Sequence, residues 1–375
     1  MDPFRRLPVE LMFQILENAA DFVGVESLIS VSRPARAAFL MDSYAIVHAI
    51  ATSNPITTQP EVRRLVHNIV ILHSPAVTEE DEASQRFKWQ QMACRVLHIA
   101  AQIQRLACAC LSKLRREFAS AVGFDPLHAQ RANVPFSWIE EYRAYWALWH
   151  LRCVSDYAKY VEKQRSYLHS GGDPPRKLTQ DVEIHPTSDD VHAFLKEVIW
   201  TVAVTLEDLQ ACPFTRFSGG VLKPEHRNTL SWDLDTDIPF FRSFELPRSV
   251  ETQYSIWSPP PIPTPSLMTS RWSLLPDHCK DPSPQTYLFR SLRFQVSRRG
   301  PNKRAMNDIL RYRRCGVLLW DKWRMFSTGL YPNNFRERVP TPDGGFVDPG
   351  EPKVSLSSNY LTKWLEVGDP LRWPA

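Results

Sequence analysis

The residues that could do chemistry are few and scattered. Cys153 lies three positions after His150, so on a helix the thiol and imidazole would be neighbours. A Cys–His nucleophile also needs a third orienting group and a cleft, and the sequence supplies neither. Asp233, Asp235 and Asp237 have the alternate spacing that opens a calcium loop. However, position six is Ile238 where the loop needs Gly, and position twelve is Phe244 where it needs Glu, so a solvated acidic turn is expected. His185 and His192 flank a helix start and are expected to be solvated. The seven cysteines are Cys94, Cys108, Cys110, Cys153, Cys212, Cys279 and Cys315. They contain no C-x-x-C pair, and Cys108-x-Cys110 has no second pair at zinc-finger spacing, so reduced thiols in the cytoplasm or nucleus are expected. There is no Gly-rich phosphate loop, no G-x-G-x-x-G, no G-x-S-x-G and no H-E-x-x-H. The expectation is a protein that is not an enzyme and has no catalytic residue, cofactor or metal.

The 375 residues allow a substantial core and two or three domains. A hydrophobic fraction of 43% and a charged fraction of 23% are those of an ordinary soluble globular protein. A formal charge of +4 implies no general affinity for nucleic acid or membranes. No apolar run is long enough to span a membrane, and Arg5, Arg6 and Glu10 interrupt any signal-peptide core.

Long helices dominate the middle of the chain. An acidic cluster at 78–82 precedes a helix to about Phe118, striped by Val96, Leu97, Ala100, Ile103, Leu106, Ala107, Leu111 and Leu114. Ser137 and Glu140 form a capping box for a second helix. Its aromatic stripe is Trp138, Tyr142, Tyr145, Trp146, Trp149, Cys153, Tyr157 and Tyr160. That stripe reads as core; a peptide-binding groove and a nucleic-acid stacking face are its other readings. A third helix covers about 189–209. Before these helices, 42–63 reads as a polar connection, and 62–72 begins helical with an end that could be helix or strand.

The region 213–375 is rich in proline, with 31 Pro against 13 Gly in the whole chain, and is expected to be irregular. Phe240, Phe241 and Phe244 suggest an extended segment, 287–296 a strand, and 302–326 a helix packed on the helical domain. The run 258–265 is polyproline-prone, either a stiff surface loop or a ligand for an SH3- or WW-type domain. The basic stretch 290–314 is either a solvated face or a site for an import factor or acidic partner. No internal repeat is present.

The first forty residues carry the most informative order. Pro8 suits a first helical position, and Glu10 falls in the first turn where the helix dipole favours an anion. Leu7, Leu11 and Ile15 recur every four residues with Leu16 beside them, Met12 flanks that stripe, and Phe13 leaves it. Apolar residues on more than one side require burial on more than one side, and the second face suits a partner protein. Three short helices are expected, at about 8–18, 25–32 and 34–41, with Pro34 separating the last two.

Asp2-Pro3-Phe4 followed by Leu7-Pro8-x-Glu10-Leu11-x-x-x-Ile15-Leu16 resembles the opening of an F-box, in the form common among fungal F-box-containing proteins. Leu28-Ile29-Ser30-Val31-Ser32-Arg33 resembles a later helix of that family. The resemblance covers residues 2–42 and departs where Pro34 to Phe39 lack the Trp the family often carries, and where 21–25 lengthens the linker. Together with the helical stripes and the proline content downstream, the reading is a mainly α protein: an F-box-like segment over 1–42, a helical domain over 43–212 and a Pro-rich irregular part over 213–375. The resemblance further implies a non-catalytic adaptor that binds a Skp-family protein, joins an SCF-type (cullin–RING) ubiquitin ligase and holds a protein substrate. The residues expected to bind the partner are Leu7, Pro8, Glu10, Leu11, Ile15, Leu16, Leu28 and Val31. The alternative is a self-contained helical scaffold that spends these helices on its own core.

Overall fold

The structure, a computed structural model, describes residues 2–19, 21–73, 82–122, 130, 132–169, 189–210, 215–217, 238–241, 243–244, 310, 312–320, 324–325, 328, 339–340 and 346–347. The architecture is mainly α. A 3-10 turn at Pro3–Arg6 leads into α1 (Val9–Glu17), α2 (Phe22–Val31), α3 (Arg33–Met41), α4 (Ser43–Ser53) and α5 (Pro60–His73). Three long helices follow: α6 (Glu82–Ala121), α7 (Trp138–His169) and α8 (Asp189–Gln210). Two small antiparallel pairings complete the described elements. β1 (Thr215–Phe217) pairs with β2 (Ile238–Phe240), Thr215 opposite Phe240, and β3 (Val339–Pro340) pairs with β4 (Phe346–Val347).

Side-chain caps set the boundaries of the short helices. Asp21 accepts from the amide of Val23 at 3.0 Å, Ser32 from that of Ala35 at 3.3 Å, and Asp42 from that of Ala45 at 3.2 Å. Ser32 is extended (φ −112°, ψ 117°), and Pro34 sits in the first turn of α3, where its missing N–H costs nothing. The three expected helices are therefore present, the second starting earlier than the sequence suggests because Asp21 caps it.

The stretch 42–63 is not a polar connection: it holds α4 and the start of α5. Ile46, Val47 and Ile50 recur at helical spacing and are buried. Pro55 lies beyond the end of α4 and Pro60 opens α5, so neither proline interrupts a helix. Asn54 makes the turn between them by accepting from the amides of Ile56 (3.0 Å) and Thr57 (3.2 Å). α5 stays helical to its end at His73.

The chain divides into two compact units, Met1–Ser112 with Glu141–Ile262 and Lys113–Glu140 with Pro263–Ala375. In the first, α1 packs on α3 and α4, and α2 packs on α3. Farther along the chain, Tyr142 donates to Glu61 at 2.7 Å and His73 bonds Asp156 at 2.8 Å. Both partners rise in number together, so α5 and α7 run parallel. Burial alone would raise the Asp156 carboxyl; the His73 bond and the Arg152 guanidinium at 2.8 Å outweigh it and hold the group below its ordinary value. Phe241, next to β2, donates its amide to Ser155 at 3.0 Å, and Arg152 lies over the Phe244 ring at 5.4 Å.

The aromatic stripe of α7 is core. Trp138, Tyr142, Tyr145, Trp146, Trp149, Cys153 and Tyr157 are all buried, and no residue from Trp138 to Leu151 is exposed. At the start of α7, Ser137 donates its amide to Glu140 at 3.0 Å, one half of the expected capping box.

Among the described residues of the second unit, Arg324 ties its two stretches of chain together. Its Nε and Nη2 grip the two carboxylate oxygens of Glu140, both at 2.8 Å. The remaining donors reach the carbonyls of Ala132 (2.6 Å), Val134 (3.1 Å) and Pro135 (3.0 Å). All five guanidinium N–H groups are thereby satisfied in a buried setting. The helix expected over 302–326 is interrupted in its described part. Residues 312–314 are helical, 315–319 are a turn, and Gly316 takes φ +65°, a left-handed conformation that ends a helix. The expectations for 233–237, 258–265, 287–296, His185, the His192 side chain and most of 290–314 lie outside the described residues.

Candidate partner-binding face

The face is built on α1. Successive residues turn by about 100° around a helix, so Leu11 and Ile15 line one stripe and Met12 and Leu16 the next, while Leu7 precedes the helix in extended backbone at the end of the 3-10 turn. Met12 and Leu16 are 1% and 0% exposed and fill the core against α3 and α4. Leu7, Leu11 and Ile15 are 37%, 43% and 39% exposed, with Pro8 and Val9 exposed beside them. One helix thus presents two apolar stripes, of which its own fold uses one.

The expected site residues divide accordingly. Leu11 and Ile15 form the exposed stripe of α1, Leu7 and Pro8 are exposed just before the helix, and Glu10 is exposed in the first turn. Val31, at the end of α2, is exposed, whereas Leu28 is half-buried. Leu16 does not belong to the face: one residue beyond Ile15 the helix has turned it into the core. Ser32 donates to Asp2 at 2.9 Å, and Asp2 caps the turn that leads to Leu7, so the end of α2 is fastened beside the start of the stripe.

The long helix α6 fixes this layer from behind. Gln104 is buried; its side-chain oxygen accepts from the amides of Phe22 (3.1 Å) and Val23 (3.4 Å), and its NH2 donates to Asp21. The first amides of α2 are thereby satisfied from another helix. Glu26, one turn along, meets Arg105 at 2.5 Å and His98 at 2.6 Å.

Sequence reasoning missed a second set of exposed apolar side chains, Leu40, Met41, Tyr44, Phe87 and Trp89. Gln90 donates to the carbonyl of Leu40 at 2.7 Å, which brings the end of α3 to the start of α6. Phe87 and Trp89 precede the regular stripe of α6, and their departure from it was the available signal.

His150 and Cys153, considered above as a nucleophile pair, are placed in the core. His150 is buried with its ring 5.5 Å from that of Trp146, and burial lowers its pKa to about 3. The Cys153 thiol is raised to about 12 by burial and then by the Asp156 charge. A neutral imidazole beside a protonated thiol is not a nucleophile pair. Burial, reinforced by Glu141 and Asp21, likewise raises Cys108 to about 12. Among the described residues no group of three or more His, Cys, Asp and Glu side chains is placed to hold a metal, and no helix is long and apolar enough to cross a membrane.

The chain matches no protein-family model, no curated protein and no solved structure.

Proposed function

We propose that the chain is a non-catalytic adaptor whose α1 face docks on a Skp-family protein, joining an SCF-type ubiquitin ligase in the cytoplasm or nucleus. One observation carries the reading: α1 fills its own core with Met12 and Leu16 and leaves Leu11 and Ile15 outward, with Leu7 exposed just ahead of the helix. An apolar stripe of this kind is an interaction surface, and covering it contributes roughly 25 cal/mol per Å² before association costs. The F-box-like order of the same residues names the partner. The rest of the chain would present a protein substrate, so its contribution to ubiquitin transfer is proximity.

Co-purification of the full chain with a purified Skp-family protein tests this. Binding that is lost in Leu11→Asp/Ile15→Asp, with the fold intact, supports the reading. No binding by the wild type, or undiminished binding by the double variant, overturns it.

A second reading has its own observation. Gln104, Arg105 and His98 fasten α2 to α6, so the N-terminal helices are also part of a larger unit. On that reading the chain is a self-contained helical scaffold with no ubiquitin role, and the failure of wild-type binding would select it.

A further inference from the structure

The charges around the α1 face are used unequally. Asp2 accepts from the amide of Phe4 and from Ser32, Asp21 from Val23 and Gln104, and Glu26 from Arg105 and His98. Three carboxylates of the N-terminal layer are therefore committed inside the structure. Arg5, Arg6 and Arg33 are exposed, and among the described residues none of them meets a carboxylate. They also cluster. Arg5 and Arg6 immediately precede Leu7, and Arg33 follows Ser32, which is bonded to Asp2 at 2.9 Å. The uncommitted acids of α1, Glu10 and Glu17, are seven residues apart and so share one side of the helix. A turn of about 100° per residue separates that side from Leu11 and Ile15. The N-terminal end of the exposed apolar stripe is thus bordered by three free guanidinium groups.

We infer that the occupant of this face is a protein presenting an apolar groove with carboxylates at the end that receives Leu7, where they meet Arg5, Arg6 and Arg33. The inference rests on the adaptor reading and adds the partner's charge and its orientation along α1. The apolar stripe holds the complex; the arginines steer the encounter and set which way round the groove is filled. Steering of this kind acts on the association rate and is screened by salt.

The test measures association of the full chain with a purified Skp-family protein at low and high salt. The variants are Arg5→Glu/Arg6→Glu/Arg33→Glu, the matching Gln triple, and Leu11→Asp/Ile15→Asp. All the substituted arginines are exposed, so circular dichroism and melting are expected to match the wild type. The expected result is an association rate about tenfold lower for the Glu triple at low salt. An intermediate loss is expected for the Gln triple, together with a flattened salt dependence in both. If the Leu/Ile variant abolishes binding while both triples associate like the wild type, the charge inference falls and the adaptor reading stands. If the Glu triple abolishes binding while the Leu/Ile variant binds normally, the association is charge attraction alone and both fall. If the wild type does not bind, both fall.

Discussion

Arg324 and Glu140 form a buried ion pair that joins distant parts of the chain. Every donor of the guanidinium is used, its plane lies 5.0 Å from the Trp320 ring and 5.7 Å from that of Phe136, and the carboxylate opposite is buried. Removing one partner leaves the other charge in the interior. Arg324→Ala is therefore expected to lower stability by about 3–5 kcal/mol, read by urea unfolding. Arg324→Lys should recover only part, because an ammonium cannot reproduce a five-donor fork. His150 gives a pH-dependent counterpart. Its folded pKa of about 3 lies below its ordinary 6.5, so protons bind the unfolded chain more readily. Stability from this group is full above pH 6.5 and falls as pH drops toward 3, by about 1.4 kcal/mol per pH unit. In His150→Leu that slope should shrink by about one proton, whatever the variant's stability at neutral pH.

Elements are joined here by single polar side chains at their ends. Gln104→Leu strips the Phe22 amide of its acceptor and leaves the Val23 amide with Asp21 alone, and a cost of about 1–3 kcal/mol is expected. Hydrogen exchange at the Phe22 amide should quicken first. Gly316 ends a helix with φ +65°, and a methyl group there would meet Trp320 at 3.1 Å and Leu114 at 3.3 Å. Gly316→Ala is expected to cost about 1–2 kcal/mol from the backbone conformation alone, with crowding added.

The same scale shows what the sequence makes legible. Caps and period gave α1, α2, α3, α6, α7 and α8, because each has a side-chain start signal or a long apolar stripe. α4 was hidden because Pro55 and Pro60 follow it closely and Ser, Thr and His dilute its Ile46–Val47–Ile50 stripe. Around α1, the spacing shows that there are two apolar stripes. Which one the fold buries depends on where α3 and α4 lie, and that is why Leu16 was assigned to the wrong side. The helix expected over 302–326 runs past Gly316, where a left-handed residue and the Val317 amide bonded to the Tyr312 carbonyl at 3.3 Å close the turn; the glycine was the local signal for that stop.

For the whole molecule, the division of labour on α1 makes a clean separation of folding from binding possible. Leu11 and Ile15 are exposed, so Leu11→Asp/Ile15→Asp is expected to stay within about 0.5 kcal/mol of the wild type per site. Met12→Asp and Leu16→Asp should unfold the N-terminal layer. Parallel melting and binding measurements on the two pairs check this: binding lost with stability kept for the first, both lost for the second. The reverse pattern would mean that the stripe facing outward is a structural surface.

Gln104 also has a consequence in time. Its partner Phe22 lies 82 residues earlier in the chain. At 5–20 residues per second, synthesis delivers Gln104 roughly 4–16 s after Phe22. Through that interval the start of α2 has only Asp21 to satisfy it, and Glu26 awaits both His98 and Arg105. On a growing chain the layer that carries the exposed α1 stripe is thus finished only when α6 arrives, so a nascent fragment ending before α6 displays that stripe on an unanchored layer.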